Sequence, residues 1–275
     1  MTIKDTIRKY TNELKLVTHI PAKEVEILML HLLEKNTIWL HLNYNVEFEK
    51  EKELAVLVKK RATNYPLEYI INKASFYGEM FIVKEGVLIP RPETEILVEN
   101  ALEILKDKKE PIKVLEIGTG SGIISVMLAM LIENIKIIAV DINEKALDLA
   151  KQNAIKHGVE NKIEFRLSNL YENVQENDIF MTISNPPYIA NNYILPTNVK
   201  YEPSNALFGG VVGDELLKDI IKGTNEKNIP YLLCEMGYDQ KAPLENYFKE
   251  FNVASYSFYK DYESFDRGFT LKFKI

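Results

Sequence analysis

Four consecutive residues, Asn185, Pro186, Pro187 and Tyr188, follow the apolar run Ile179 to Ser184 and are the best placed in this chain to do chemistry. A short apolar run bounded by turn residues reads as a strand, so the four would occupy the loop that leaves it. The Asn185 side-chain oxygen and the Pro186 carbonyl are two acceptors held close together. Such a pair suits a planar NH2 group whose lone pair is spread into a π-system. Binding both hydrogens draws the nitrogen toward tetrahedral geometry and concentrates the lone pair toward an electrophile. Pro187 restricts the residue before it and keeps the Pro186 carbonyl aimed. Tyr188 is expected to stack on a flat acceptor group. No strong general base is required, because the N–H becomes acidic as the new bond forms; positioning and preorganised dipoles supply the rate. Asn185, Pro186 and Tyr188 are therefore candidate catalytic residues, and all four are candidate substrate contacts. The same geometry serves a glutamine amide and adenine N6, so the motif leaves the acceptor open.

A second motif implies the electrophile. Glu116-Ile117-Gly118-Thr119-Gly120-Ser121-Gly122 follows an apolar strand and opens an apolar helix. Gly118 and Gly120 allow a tight turn and close approach of a ligand, and Gly122 is expected to let the helix pack on the strand. The next strand ends at Asp141, where a carboxylate accepts hydrogen bonds from both ribose hydroxyls of an adenosine. A dinucleotide site spaces its glycines as G-x-G-x-x-G around a pyrophosphate. Here the spacing is G-x-G-x-G, with acidic Glu116 in front. A carboxylate opposes a phosphate but suits a sulfonium and an amino group, so the expected cofactor is S-adenosylmethionine. Asn169 and Leu170 follow the next strand and are expected at the adenine, Asn169 through its amide oxygen and Leu170 against the ring. The cofactor-binding candidates are thus Glu116, Gly118, Thr119, Gly120, Ser121, Gly122, Asp141, Asn169, Leu170 and Asn185.

These loops need strands and helices to hold them. From residue 92 the pattern alternates: a helix carrying Ile96, Leu97, Ala101, Leu102 and Leu105, a strand at Lys113 to Ile117, a helix at Ile123 to Ile132 and a strand at Lys136 to Val140. A helix from Glu144 to His157 follows, then strands at Lys162 to Leu167, Ile179 to Ser184 and Tyr231 to Met236. Strands separated by helices of this length imply βαβ units and a parallel sheet. Pro92 suits a first helical turn. Residues 1 to about 63 read as a helical bundle: Ile3, Ile7, Leu14 and Leu16 on one face, then Val25, Leu28, Met29, Leu32 and Leu33, then Leu54, Leu57 and Val58. The triplet Lys59-Lys60-Arg61 reads as a solvated helix end. Between these regions, Phe76-Tyr77-Gly78, Met80 to Val83 and Val87 to Ile89 suggest a β-hairpin linker.

Composition narrows the function. The chain has 275 residues, room for two domains, and no apolar run long enough to span a bilayer. The first residues lack an apolar signal core, and one cysteine, Cys234, excludes an internal disulfide, so a reducing cytoplasm is expected. His19, His31 and His41 have no metal-ligand spacing, and no metal is expected. Residues 1–63 hold 11 Lys/Arg against 9 Asp/Glu, a balance of +2; with −6 overall, the rest carries −8. An acidic catalytic half is a poor match to a polyanion. The residues after Tyr188 are needed to finish the fold, which leaves no module to read DNA. A monomer is the default.

Taken together, the motifs resemble those of the HemK/PrmC protein-(glutamine-N5) methyltransferases, which modify peptide chain release factors. Pro66-Leu67-Glu68-Tyr69-Ile70 and Phe76-Tyr77-Gly78 are similar to the family's linker, and Leu88-Ile89-Pro90-Arg91-Pro92-Glu93-Thr94-Glu95 to its signature before the catalytic domain. Asn185-Pro186-Pro187-Tyr188-Ile189, Val199-Lys200-Tyr201-Glu202-Pro203, Ala206-Leu207, Lys260-Asp261-Tyr262 and Asp266-Arg267 stand in the same register. The resemblance implies an α/β fold: a Rossmann-like class I methyltransferase with a mostly parallel seven-stranded sheet. It implies a helical substrate-recognition domain at 1–74, a hairpin linker at 75–90 and the methyltransferase domain at 91–275. It implies a release factor as partner, modified at the glutamine of its Gly-Gly-Gln loop, with no direct nucleic acid or membrane contact. Arg91 becomes a further candidate substrate contact, beside a plain role at a helix start.

Overall fold

The computed structural model describes residues 1–106, 108 and 110–275, and the chain separates into two compact units. The first comprises Met1–Lys73 together with Leu195–Tyr201; the second comprises Ala74–Ile194 and Glu202–Ile275.

The first unit holds α1 (Ile3–Leu14), α2 (Pro21–Leu33), α3 (Thr37–Leu42), α4 (Glu51–Arg61) and α5 (Leu67–Ile71). Local signals start these helices. Thr2 caps α1 by accepting the Asp5 amide, Pro21 opens α2, and Asn36 caps α3 by accepting the Trp39 amide. The buried side chains Ile3, Ile7, Leu14, Val25, Leu28, Met29, Leu54 and Val58 form the bundle core. Leu16 does not join them: it lies past the end of α1 and is 99% exposed. Arg61 is not a solvated helix end either. Its guanidinium is buried and pairs with Glu24 through Nε at 2.6 Å and Nη2 at 3.1 Å, which ties α4 to α2. Residues 195–201 complete this unit: the Tyr201 hydroxyl donates to the Thr63 carbonyl at 3.0 Å, and its ring packs edge-on to Tyr65.

The boundary between units falls inside β1 (Lys73–Phe76), which pairs with β2 (Glu79–Ile82) across Tyr77 and Gly78. Both turn residues have positive φ, the two-residue turn that matches strand twist. The expected strand continuation at Val83 and at Val87 to Ile89 is absent; this stretch is irregular. Side chains have taken the ladder's hydrogen bonds. Asn153 accepts the Ile82 N–H and donates to the Ile82 carbonyl, while Glu202 accepts the Ile89 N–H.

Next come α6 (Thr94–Leu105), β3 (Ile112–Ile117), α7 (Ile123–Leu131), β4 (Ile135–Asp141), α8 (Glu144–Lys156) and β5 (Ile163–Leu167). They are followed by β6 (Met181–Ser184), β7 (Ile189–Ala190), β8 (Phe208–Gly210), α9 (Glu215–Glu226), β9 (Tyr231–Glu235), α10 (Lys241–Phe248), β10 (Val253–Lys260) and β11 (Asp266–Phe273). Regular helix begins at Thr94; Pro92 and Glu93 form a tighter preceding turn. The main sheet has the order β10-β11-β9-β6-β3-β4-β5, and only β11 runs against its neighbours on both sides. The expected seven-stranded, mostly parallel sheet is therefore present. Along β3, Ile112 and Val114 face a core with α6 and α7, whereas Leu115 and Ile117 face one with α9 and α10. Burial on both faces explains the nearly unbroken apolar strand runs in the sequence.

The sheet fixes where ligands go. The chain steps from β3 outward to β4 and β5, then returns to β6 on the other side of β3. The loops after β3 and β6 therefore diverge at a topological switch point, the usual ligand crevice of an open α/β sheet.

Candidate active site

The two motif-bearing loops leave adjacent strands. Ile117 and Ser184 are register partners, and the Ser184 hydroxyl donates to the Ile117 carbonyl at 2.7 Å. The glycine loop and the Asn-Pro-Pro-Tyr loop therefore start side by side.

Gly118, Gly120 and Gly122 all adopt positive φ. At Gly118 and Gly120 an added Cβ would meet nothing within 4 Å, so backbone conformation demands glycine and the outer side of the loop is open to a ligand. Gly122 differs from expectation. Its missing side chain makes room for α8, since a Cβ there would lie 2.9 Å from that of Ala150. Asn153, also on α8, donates to the Ser121 carbonyl, so one buried amide braces both the glycine loop and β2.

Asp141 ends β4 as anticipated. Oδ2 accepts the Gly120 N–H and Oδ1 the Asn143 N–H, each at 2.9 Å. Burial raises its pKa, against the pull of these backbone donors. Glu116 is buried, with Oε2 accepting from Thr119 at 2.7 Å and from Ser125. Its Oε1 has no partner among the described residues. Burial pushes the Glu116 carboxyl up to about 7, opposed by the hydroxyls of Ser125 and Thr119 and assisted by the nearby Asp141 charge. An unpartnered buried carboxylate oxygen beside an open glycine turn fits a cationic ligand. In S-adenosylmethionine the α-amino group is such a donor.

This arrangement carries a pH signature. The folded protein holds the Glu116 proton more tightly than the unfolded chain, whose carboxyl titrates near 4.5. Folding stability is therefore lost as pH rises from about 4.5 through about 7, and the full cost applies above that. At about 1.4 kcal/mol per tenfold in proton affinity the cost approaches about 3.5 kcal/mol. Glu116→Gln should raise the melting temperature of the cofactor-free protein at pH 8 with little effect at pH 5, while weakening cofactor affinity. Melting curves at the two pH values check this; an equal shift at both would refute it.

Ser168, Asn169 and Leu170 follow β5. Leu170 has φ +48, unusual for leucine and the kind of local strain that tight ligand loops retain. The Ser168 hydroxyl holds the turn by donating to the Leu170 carbonyl and accepting the Asn173 amide. The Asn169 amide nitrogen donates to Glu172, leaving its oxygen available.

At the reaction-centre loop, Asn185 Nδ2 donates to the Thr94 hydroxyl at 2.9 Å, and Thr94 donates to Glu235 Oε2 at 2.7 Å. The Tyr188 hydroxyl donates to Glu235 Oε1 at 2.9 Å, and the ring packs against the α9–α10 core. Burial and the Glu235 charge drive the Tyr188 phenol far above its ordinary range. Burial also raises Glu235, against its two hydroxyl donors and the Arg267 charge.

One cleft enclosing about 990 Å3, including its mouth, gathers most of the candidates: Glu116, Gly118 to Ser121, Asp141, Asn169, Leu170, Asn185, Pro187 and Arg91. Gly122, Pro186 and Tyr188 are not among its lining residues. Arg91 is already engaged: Nη2 pairs with Glu202 at 2.5 Å, and the same carboxylate accepts the Ile89 amide. Sequence reasoning missed Thr94, Asn153 and Glu235 as parts of the site. Glu235 had a signal, an acidic residue inside the apolar run Tyr231 to Met236. No group of three or more His, Cys, Asp or Glu side chains is arranged for a metal among the described residues, and none of their helices is long and apolar enough to cross a membrane.

A parallel sheet with an antiparallel penultimate strand, and a carboxylate where a pyrophosphate site would have none, makes this a class I S-adenosylmethionine-dependent methyltransferase. Residues 93–199 match the methyltransferase small domain, and residues 5–71 match the PrmC N-terminal domain. The release factor glutamine methyltransferase of Aquifex aeolicus is 34% identical over 273 residues, covering 96% of this chain and 93% of that protein. That of Enterococcus faecalis is 40% identical over 215 residues, 76% of each chain. The chain belongs to the release factor glutamine methyltransferase family. More distant solved structures share the fold. The N-terminal domain of human METTL16 in complex with SAH is 16% identical with a TM-score of 0.54, covering 90% of this chain and 94% of that one. Human methyltransferase 10 domain containing protein is 18% identical with a TM-score of 0.52, covering 68% of this chain and 86% of that one.

Proposed function

We infer that the acceptor is the side-chain amide nitrogen, N5, of the glutamine in the Gly-Gly-Gln loop of peptide chain release factors. Membership of the release factor glutamine methyltransferase family favours glutamine, and the observation that carries the amide-nitrogen chemistry is the Asn185 side chain. It lines the cofactor cleft with its NH2 end committed to Thr94, so its oxygen is free to accept a hydrogen from an incoming amide. S-adenosylmethionine supplies an electrophilic methyl group on a sulfonium. The protein's own work is to hold and aim. Asn185 Oδ1 and the Pro186 carbonyl take the two amide hydrogens and turn the nitrogen lone pair toward the methyl group. Glu116 faces the cationic end of the cofactor, Asp141 the ribose, and Asn169 with Leu170 the adenine. Pro187 borders the acceptor amide, and Tyr188, packed outside the cleft lining with its hydroxyl anchored on Glu235, steadies the loop that carries it. Arg91 acts mainly through Glu202, fixing the segment before α6. The helical unit, with a charge balance opposite to the rest, serves substrate recognition. Because the same two acceptors could hold adenine N6, the nucleic-acid alternative is an outcome of the test.

The test is transfer of labelled methyl from S-adenosylmethionine to a purified release factor, with mass spectrometry of the loop peptide. Label should appear on the loop glutamine and vanish when that residue is alanine. Label that persists on the alanine variant, or that enters RNA or DNA but not the release factor, would sink the assignment.

A further inference from the structure

Two side chains of the reaction-centre loop lead to one buried carboxylate, Tyr188 directly and Asn185 through the Thr94 hydroxyl. Glu235, at the end of β9, is 1% exposed. Its two oxygens accept one hydroxyl each, from Thr94 at 2.7 Å and from Tyr188 at 2.9 Å. Thr94 is fully buried at the first position of α6 and has a single hydroxyl hydrogen. Glu235 takes that hydrogen, so Thr94 can meet Asn185 only through a lone pair. The end of the Asn185 amide that lies 2.9 Å from Thr94 must then be the NH2. The oxygen is left to face the cleft.

We propose that Thr94 and Glu235 are positioning residues that fix which end of the Asn185 amide meets the acceptor nitrogen. The requirement is strict in kind. A flipped amide would present N–H donors to a substrate NH2 that has only hydrogens to offer, and the contact would be lost. An isolated asparagine amide has no strong preference between its two orientations, because its O and N ends are nearly equal in size. Something outside the side chain must choose. In this fold the choice is made by counting hydrogens along Asn185, Thr94 and Glu235, a chain that joins the loop after β6, the start of α6 and the end of β9. Tyr188 closes the set by occupying the other carboxylate oxygen, which prevents Glu235 from turning away from Thr94. Arg267, itself paired with Asp261 at 2.8 Å, adds a positive charge that opposes the upward push of burial on the Glu235 carboxyl.

This inference rests on the amide-acceptor reading above, and the experiment separates the two. Steady-state methylation of a release factor is measured for wild type, Thr94→Val, Thr94→Ser and Glu235→Gln, each alone and combined with Asn185→Ala. Binding of S-adenosylhomocysteine is measured alongside. Thr94→Val keeps the shape of the side chain and removes its hydroxyl. It should lower kcat by roughly 10- to 100-fold, less than the roughly hundred- to thousandfold of removing a group at the reacting centre, because Asn185 itself remains. KM and S-adenosylhomocysteine affinity should stay within about threefold, because the cofactor contacts lie elsewhere. Thr94→Ser restores the hydroxyl and should restore most of the rate. Glu235→Gln should slow turnover, since an amide can donate to Thr94 and release its hydrogen toward Asn185. In the Asn185→Ala background none of the three should slow the reaction further, because residues that act through one group are not additive. Equal losses in both backgrounds, wild-type kcat in Thr94→Val, or a Ser variant as slow as the Val variant would each overturn the proposal. If Thr94→Val fails to fold, Thr94→Ser and Glu235→Gln decide by the same comparison. A wild-type enzyme that leaves the release factor unmethylated overturns the acceptor reading instead.

Discussion

Asn185→Ala should reduce kcat by roughly a thousandfold, the upper range for removing one preorganised group at a reacting centre. The substitution deletes the acceptor that faces the cleft and leaves the Thr94 lone pair without its donor. The Pro186 carbonyl then holds only one of the two amide hydrogens, and the nitrogen stays planar with its lone pair delocalised. Cofactor affinity should change only a few fold, because the glycine loop, Asp141 and Glu116 are held by contacts of their own. Single-turnover methylation and separate titration of S-adenosylhomocysteine distinguish these effects. A loss confined to cofactor binding would refute the role given to Asn185.

Asp141→Ala should produce the opposite pattern. The carboxylate is placed to take two ribose hydroxyls, and hydrogen bonds to a charged group contribute about 1.5–3 kcal/mol each, so the dissociation constant should rise by roughly a hundredfold or more. The same oxygens hold the Gly120 and Asn143 amides at 2.9 Å. Removing them also loosens the turn that shapes the cleft, and a modest loss of thermal stability should accompany the weaker binding. At saturating cofactor the rate should recover most of its wild-type value. Isothermal titration with S-adenosylhomocysteine, paired with kcat at high S-adenosylmethionine, checks the prediction; a depressed kcat at unchanged affinity would overturn it.

What could be read in advance followed from physics local to the chain. The apolar runs of β3, β4 and β6 are buried on both faces, so composition alone marks them as strands of a covered parallel sheet. Glycines at Gly118 and Gly120 announce backbone conformations that other residues resist. The fold and the cofactor loop were legible for that reason. What escaped depends on pairings distant in sequence. Thr94 and Glu235 are 141 positions apart and meet only when α6 packs beside β9. Asn153 looks like one more polar residue on a helix, and nothing in its neighbourhood reveals that it binds the edge of β2 and the glycine loop together. A glycine at a helix start, such as Gly122, can make space for either neighbouring strand or helix, and only the position of Ala150 decides. The stretch 83–93 has strand-like composition but no strand, since the hydrogen bonds at Ile82 and Ile89 go to side chains. The sequence offers Tyr188 as a ring to stack on a flat acceptor group, whereas its hydroxyl anchor depends on the same distant Glu235.

The short segment 195–201 has a consequence for how the molecule comes into being. It belongs with the helical unit, where Tyr201 closes against Thr63 and Tyr65, yet it is encoded more than a hundred residues later, after the reaction-centre loop. During vectorial synthesis the helices emerge first but cannot acquire their last strip until most of the parallel sheet has left the ribosome. The two units are thus interleaved in the gene rather than strung end to end. A cut at the apparent boundary near residue 74 would yield a helical fragment missing one of its own pieces.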